Sequence, residues 1–136
     1  MSRIVHLSEA VSIAFHSMVL VARSEKPLNV LEISEKISSS KHHVAKVMQR
    51  LVKAGFVGSL RGPAGGFSLK KSASEINLLS IYEAIEGTLE TGACLMDKPV
   101  CSFETCIYSN IIEKMTCDFK NYLQNQKLSN YYKCPI

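Results

Sequence analysis

Residues 38–71 read SSSKHHVAKVMQRLVKAGFVGSLRGPAGGFSLKK. The three serines make a short polar turn, and the last of them can cap a helix starting at Lys41. Val44, Val47, Met48, Leu51 and Val52 recur at helical spacing and share one face, and Gly55 supplies the stop. The opposite face carries Lys41, His42, Lys46, Gln49, Arg50 and Lys53. Next come "FVGSL", "RGPAGG" and "FSLKK": strand, glycine-rich turn, strand. Just upstream, "NVLEISEKI" opens with Asn29 and Glu32 at capping-box spacing and predicts a short helix ending near Ile37. Two short helices joined by a tight turn, the second basic on its exposed side, form the helix-turn-helix pattern. A hairpin directly after the second helix makes it a winged helix.

Charge points the same way. The chain of 136 residues has a net charge of only +4, yet Lys41, Lys46, Arg50, Lys53, Arg61, Lys70 and Lys71 fall in one stretch without a single Asp or Glu. A solvated helix face mixes signs, so this segregation is the footprint of a surface that meets a polyanion. The N-terminal residues of a recognition helix reach base edges, which assigns sequence preference to Ser40, Lys41, His42 and His43, with Ser39 beside them in the DNA-binding set. Lys46, Gln49 and Arg50, with the wing residues Arg61, Gly65, Gly66, Lys70 and Lys71, complete the expected DNA-binding set, mostly through phosphate. Gly65 and Gly66 also suit a turn that needs positive φ.

Outward from this unit, Ser8 is positioned to cap a first helix running to about Ala22, with Val11, Ala14, Phe15, Met18, Val19 and Ala22 at helical spacing. Glu9, Ser12 and His16 make one polar stripe along it. The opening "MSRIVHLSEAVSIAFHSMVLVA" has the look of a signal peptide, but Glu9 and His16 interrupt it and no small-residue cleavage site follows. No apolar run approaches the roughly 20 residues of a membrane span. A cytoplasmic protein is therefore expected, with no membrane partner. "NLLSIYEAIEG" predicts a short helix stopped by Gly87, and residues 107–126 a longer amphipathic one. Ile107, Ile111, Ile112, Met115, Phe119, Tyr122 and Leu123 share a side of that last helix, and a symmetric homodimer would cover them. The tail "LSNYYKCPI" reads as irregular. The expected fold class is mainly α with a small β wing, in three parts: a winged helix-turn-helix domain over 1–87, a cysteine-rich loop over 88–106, and a dimerisation helix with its tail over 107–136.

"CLMDKPVCSFETC", residues 94–106, places Cys94, Cys101 and Cys106 in thirteen residues. A disulfide would leave one thiol over, in a compartment where thiols stay reduced. Zinc would need Asp97, Glu104 or a histidine as fourth ligand, and no C-x₂-C knuckle is present. Thiolates are soft ligands suited to an iron–sulfur cluster. Cys117 sits in the apolar helix as a packed free thiol, and Cys134 in the tail has no assigned structural role.

Taken in order, these segments resemble the IscR/NsrR-type winged-helix transcription regulators of bacteria. "HLSEAVSIAFHSMVLVA" is similar to that family's first helix, and "SKHHVAKVMQRLVKAGFV" to its recognition helix, especially in the nitrosative-stress branch. "RGPAGGFSL" is similar to its wing, and "INLLSIYEAIEG" to the segment leading into its cysteine loop. The resemblance implies a homodimer that binds a palindromic operator in double-stranded DNA. It also implies a 2Fe-2S or 4Fe-4S cluster, with iron held by Cys94, Cys101 and Cys106. Their spacing of six and then four intervening residues departs from the better-known members. Ser109 stands where the 2Fe-2S branch carries a histidine, and Ser12 where the nitric-oxide-sensing branch carries an aspartate. His16, or else Glu9 or Ser12, from the partner subunit is then the candidate fourth ligand.

Two other classes compete. A cluster-free winged-helix regulator would respond to thiol oxidation or to a small molecule. A small electron carrier would place its cysteines two residues apart and has no use for a basic helix-turn-helix. The chain shows no Ser-His-Asp or Cys-His arrangement, phosphate loop or paired-carboxylate site, so no enzyme is expected.

Overall fold

A computed structural model of the chain describes residues 2–91 and 102–132. Its elements are α1 (Glu9–Arg23), α2 (Val30–Ile37), α3 (Lys41–Lys53), β1 (Val57–Leu60), β2 (Gly66–Leu69), α4 (Leu78–Glu86) and α5 (Ile111–Asn125). Short 3-10 turns lie at Ala73–Glu75 and Leu128–Tyr131. The molecule is mainly α with a two-stranded antiparallel wing.

Side-chain caps set the helix starts. Ser8 accepts from the Val11 amide at 3.1 Å, Asn29 from Glu32 at 2.8 Å, Ser40 from His43 at 3.2 Å and Asn77 from Ser80 at 2.8 Å. Each satisfies an amide that has no partner inside its helix. α2 ends at Ser38 in the left-handed region, φ 55°, and the chain turns through Ser39 into the Ser40 cap. α1, α3 and α4 surround one core with Met18, Ile33, Met48, Leu51, Ile76 and Ile81 fully buried.

In the wing, Val57 pairs with Leu69 and Leu60 with Gly66. A further bridge joins Leu28, just before α2, to Phe67: the Phe67 amide donates to the Leu28 carbonyl at 2.7 Å, and Leu28 returns the bond at 3.1 Å. The base of the wing is thereby tied to the start of the helix-turn-helix.

Three expectations for the C-terminal part change. α5 begins at Ile111 rather than Ile107, because Ser109 takes φ 54° and its amide donates to the Cys106 carbonyl, closing a turn before the helix. Leu123, expected on a dimer face, is 2% exposed and packs into the chain's own core, and Phe119 lies partly buried against the same core. The tail is not irregular through residue 132. The Leu128 amide donates to the Ile76 carbonyl at 3.0 Å, Leu78 to Gln126 at 2.9 Å, and the Leu128 side chain is fully buried. The described part of this segment, 107–132, therefore shares its core with the winged domain. Among the described residues, no helix is long and apolar enough to cross a membrane.

Candidate nucleic-acid interface

α3 buries Val44, Val47, Met48 and Leu51 against α1, α2 and α4 and turns Lys41, His42, His43, Lys46, Gln49, Arg50 and Lys53 outward. The exposed face carries the cations, as hydrophobic spacing requires. Lys46, Gln49, Arg50 and Lys53 line a shallow depression on it. Ser40 and Arg61 are exposed, as are Lys70 and Lys71, while Ser39 is half-buried. The Lys71 ammonium sits 5.3 Å above the Phe56 ring, which holds it at the wing base.

Several residues in this set have structural duties that sequence spacing did not reveal. The Arg50 guanidinium donates to the carbonyl of Ile85, near the last turn of α4, where unsatisfied carbonyls attract cations. Arg50 is thus also engaged within the chain, with a residue 35 positions away in sequence. Gly66 is buried: at φ +149° it runs against Leu28, where a Cβ would meet the Leu28 carbonyl carbon at 2.5 Å. Gly65 needs no positive φ. Its constraint is steric, with a Cβ falling 2.2 Å from the Leu60 carbonyl oxygen. The positive φ in that turn belongs to Gly62 and Gly66.

The polar stripe of α1 splits into two roles. Glu9 Oε1 lies 3.3 Å from Nδ1 of His43, so the first helix touches the first turn of α3. Ser8, beside it, donates to the carboxylate of Glu86 at the end of α4. Burial, and then the charge of Glu86, push the Tyr82 phenol above its usual pKa, so it stays neutral. His16 is exposed, and its Nδ1 is 2.6 Å from the Ser12 carbonyl oxygen. A carbonyl oxygen can only accept, so Nδ1 is the donor and Nε2 is the nitrogen directed away from this bond, as in metal-ligating histidines. Glu9, Ser12 and His16 also edge an open groove of about 650 Å³, floored by Ile13, Phe15 and Val19.

Of the three clustered cysteines, Cys94 and Cys101 lie outside the described residues, as does Cys134. Cys106 is an exposed free thiol in the turn before α5, and Cys117 is a half-buried free thiol. Among the described residues, no three His, Cys, Asp or Glu side chains converge as a metal site. The described donors suit a soft metal centre in kind: an accessible thiol and an imidazole whose Nδ1 is held by a backbone carbonyl.

α5 carries two apolar stripes. Phe119 and Leu123 face the chain's own core, while Ile111, Met115 and Tyr122 are exposed at 46%, 39% and 55%. Ile107 is exposed ahead of the helix.

This arrangement has known counterparts. Residues 7–133 match the model of Rrf2, described as an iron-dependent transcriptional regulator. The chain belongs to the Rrf2 family. Rrf2 proteins are transcription regulators that bind DNA, not enzymes. The Rrf2 chain described here is 29% identical over 118 residues to YwgB of Bacillus subtilis (strain 168), covering 82% of this chain and 76% of that protein. It is 27% identical over 117 residues to the HTH-type transcriptional regulator IscR of Serratia proteamaculans (strain 568), covering 86% and 68%. In fold it is similar to CymR, the global cysteine regulator of B. subtilis, with a TM-score of 0.80 at 21% identity over 98% of this chain and 100% of that one. T. potens IscR gives 0.76 at 23% identity, over 95% and 87%. These neighbours establish the winged-helix fold.

Proposed function

We propose that this Rrf2 chain acts as a homodimer that binds a palindromic operator and whose affinity depends on an iron–sulfur cluster. The observation that carries the DNA reading is the exposed face of α3, where cations stand without an acid from residue 41 to the end of the wing at Lys71. Lys41, His42 and His43 meet base edges, and Lys46, Lys53, Arg61, Lys70 and Lys71 meet phosphate. The exposed stripe Ile111, Met115, Tyr122 supports the dimer, because an apolar row on a helix already anchored through its other stripe suits a second copy. Two winged units would then sit about 34–36 Å apart, or a multiple.

The cluster reading rests on the family's description as iron-dependent, on the IscR relatives and on three cysteines within thirteen residues. Cys94, Cys101 and Cys106 are the proposed thiolate ligands. His16 of the partner subunit is the proposed fourth, preferred over Glu9 because Glu9 already faces His43 while His16 keeps Nε2 available. When bound, a cluster would supply a redox- and ligand-sensitive iron centre. A second reading, a cluster-free regulator responding to thiol oxidation or a small molecule, is favoured by the likeness to CymR, named a global cysteine regulator. Under it the exposed Cys106 would be the reacting group. Anaerobic purification followed by an absorption spectrum with iron and sulfide counts separates them. A coloured protein with iron and sulfide in equal amounts supports the cluster, and a colourless, iron-free one supports the second reading.

A further inference from the structure

We propose that Glu9, although it lies outside the helix-turn-helix, is a positioning residue for operator specificity: its carboxylate sets which nitrogen of the His43 ring is offered to DNA. The proposal rests on the DNA-binding role of α3 stated above. His43 is the third residue of α3, its amide bound to the Ser40 hydroxyl at 3.2 Å, and its side chain is 56% exposed. At this place in a recognition helix a side chain reaches base edges. Its Nδ1 lies 3.3 Å from Oε1 of Glu9, in a stretch that has no acid of its own. An exposed pair of this kind contributes little to stability, so its consequence is orientation.

The chemistry of the ring makes orientation matter. A neutral imidazole has one donor nitrogen and one acceptor. A carboxylate beside Nδ1 keeps the proton there, which leaves Nε2 as the acceptor. In the major groove the donors are the exocyclic amino groups of adenine and cytosine, whereas guanine offers only acceptors. With Glu9 in place, a neutral His43 therefore selects adenine or cytosine on the strand it touches. Without Glu9 both tautomers are accessible, and guanine is admitted by donation from the ring. The two helices that carry the pair are fixed to each other: α1 packs directly on α3, and Val11, Ala14, Val44 and Met48 are buried in the common core.

Glu9 also differs from a plain negative charge near DNA. A charge acting at long range would weaken binding to every sequence alike, whereas a tautomer clamp changes preference at one position per half-site. The amide oxygen of a glutamine still accepts from Nδ1–H, so Glu9→Gln is the rescuing variant and Glu9→Ala the disabling one.

The test is a selection from duplexes with a randomised core, read by sequencing, on anaerobically purified full-length protein at mildly alkaline pH, where imidazole is neutral. Wild type, Glu9→Gln, Glu9→Ala, His43→Ala and the double Glu9→Ala/His43→Ala are compared, each checked for native helicity. We expect one position per half-site where adenine or cytosine preference disappears in His43→Ala. Glu9→Ala should relax the same position by roughly two- to tenfold, the scale of one hydrogen bond. Glu9→Gln should retain the preference, and the double variant should relax no further than His43→Ala. If Glu9→Ala shifts overall affinity but keeps that preference, or alters positions that His43→Ala does not, Glu9 is not a positioning residue. A wild-type protein that enriches no sequence would overturn the DNA reading along with it.

Discussion

A hydroxyl at position 40 and a missing side chain at position 66 hold the helix-turn-helix and wing, the proposed DNA-facing end, in shape. Ser40 starts α3 by accepting from the His43 amide, so Ser40→Ala should cost about 1 kcal/mol in chemical denaturation, with weaker operator binding. Gly66→Ala should cost more, about 2 kcal/mol or above, because its Cβ meets backbone atoms of Leu28 that cannot swing away, and φ +149° disfavours any side chain. A Gly66→Ala variant with an unchanged denaturation midpoint would contradict the account of the wing base. The two residues also differ in legibility. Ser40 was readable because a cap is local: a serine three positions before a free amide at the edge of a periodic run. Gly66 was readable only as a turn glycine, since its real neighbour, Leu28, lies far off in sequence and no periodicity reports that contact. The bond from Arg50 to Ile85 was illegible for the same reason, its partner being supplied by tertiary packing.

At the scale of elements, α5 tests how the apolar stripe is divided. At 3.6 residues per turn, the rows 119–123 and 111–115–122 lie about a quarter-turn apart, and a sequence pattern merges them into one broad face. Which half covers its own chain depends on where α4 and the tail place themselves, so only the structure separates them. The division predicts two distinct phenotypes. Leu123→Ala should lower stability by about 2–5 kcal/mol, as a truncation in a filled core does, without creating a new surface charge. Met115→Glu or Ile111→Glu should leave each protomer folded but yield monomers in sedimentation, since an unpaired charge would enter the dimer contact. A wild type that sediments as a monomer at micromolar concentration would remove the dimer from the account. α1 to α4 were legible nearly to the residue because caps, glycine stops and apolar spacing agree there. The start of α5 was not, because the left-handed turn at Ser109 breaks the helix where the apolar pattern continues without interruption.

For the molecule as a whole, the proposed function requires charge and cysteines to act together. Three or four phosphate contacts per protomer give a dimer a slope of log K against log salt of about −5 to −7, and a nearly flat salt dependence would exclude the α3–wing surface as the DNA site. The fold class, the basic face and the family were all legible from sequence, because they rest on spacing and charge order. The fourth ligand was not, because it depends on how two copies meet; the structure contributes the anchored ring of His16 and the engagement of Glu9 with His43. The central claim is that cluster state sets operator affinity. Coupling between sites typically amounts to about 1–3 kcal/mol, or roughly five- to 150-fold in affinity. The most direct measurement titrates a duplex recovered by selection with anaerobically purified protein, with chelator-treated protein and with the Cys101→Ser variant. The account predicts that the first differs from the other two by at least about fivefold. Three coincident binding curves would contradict it.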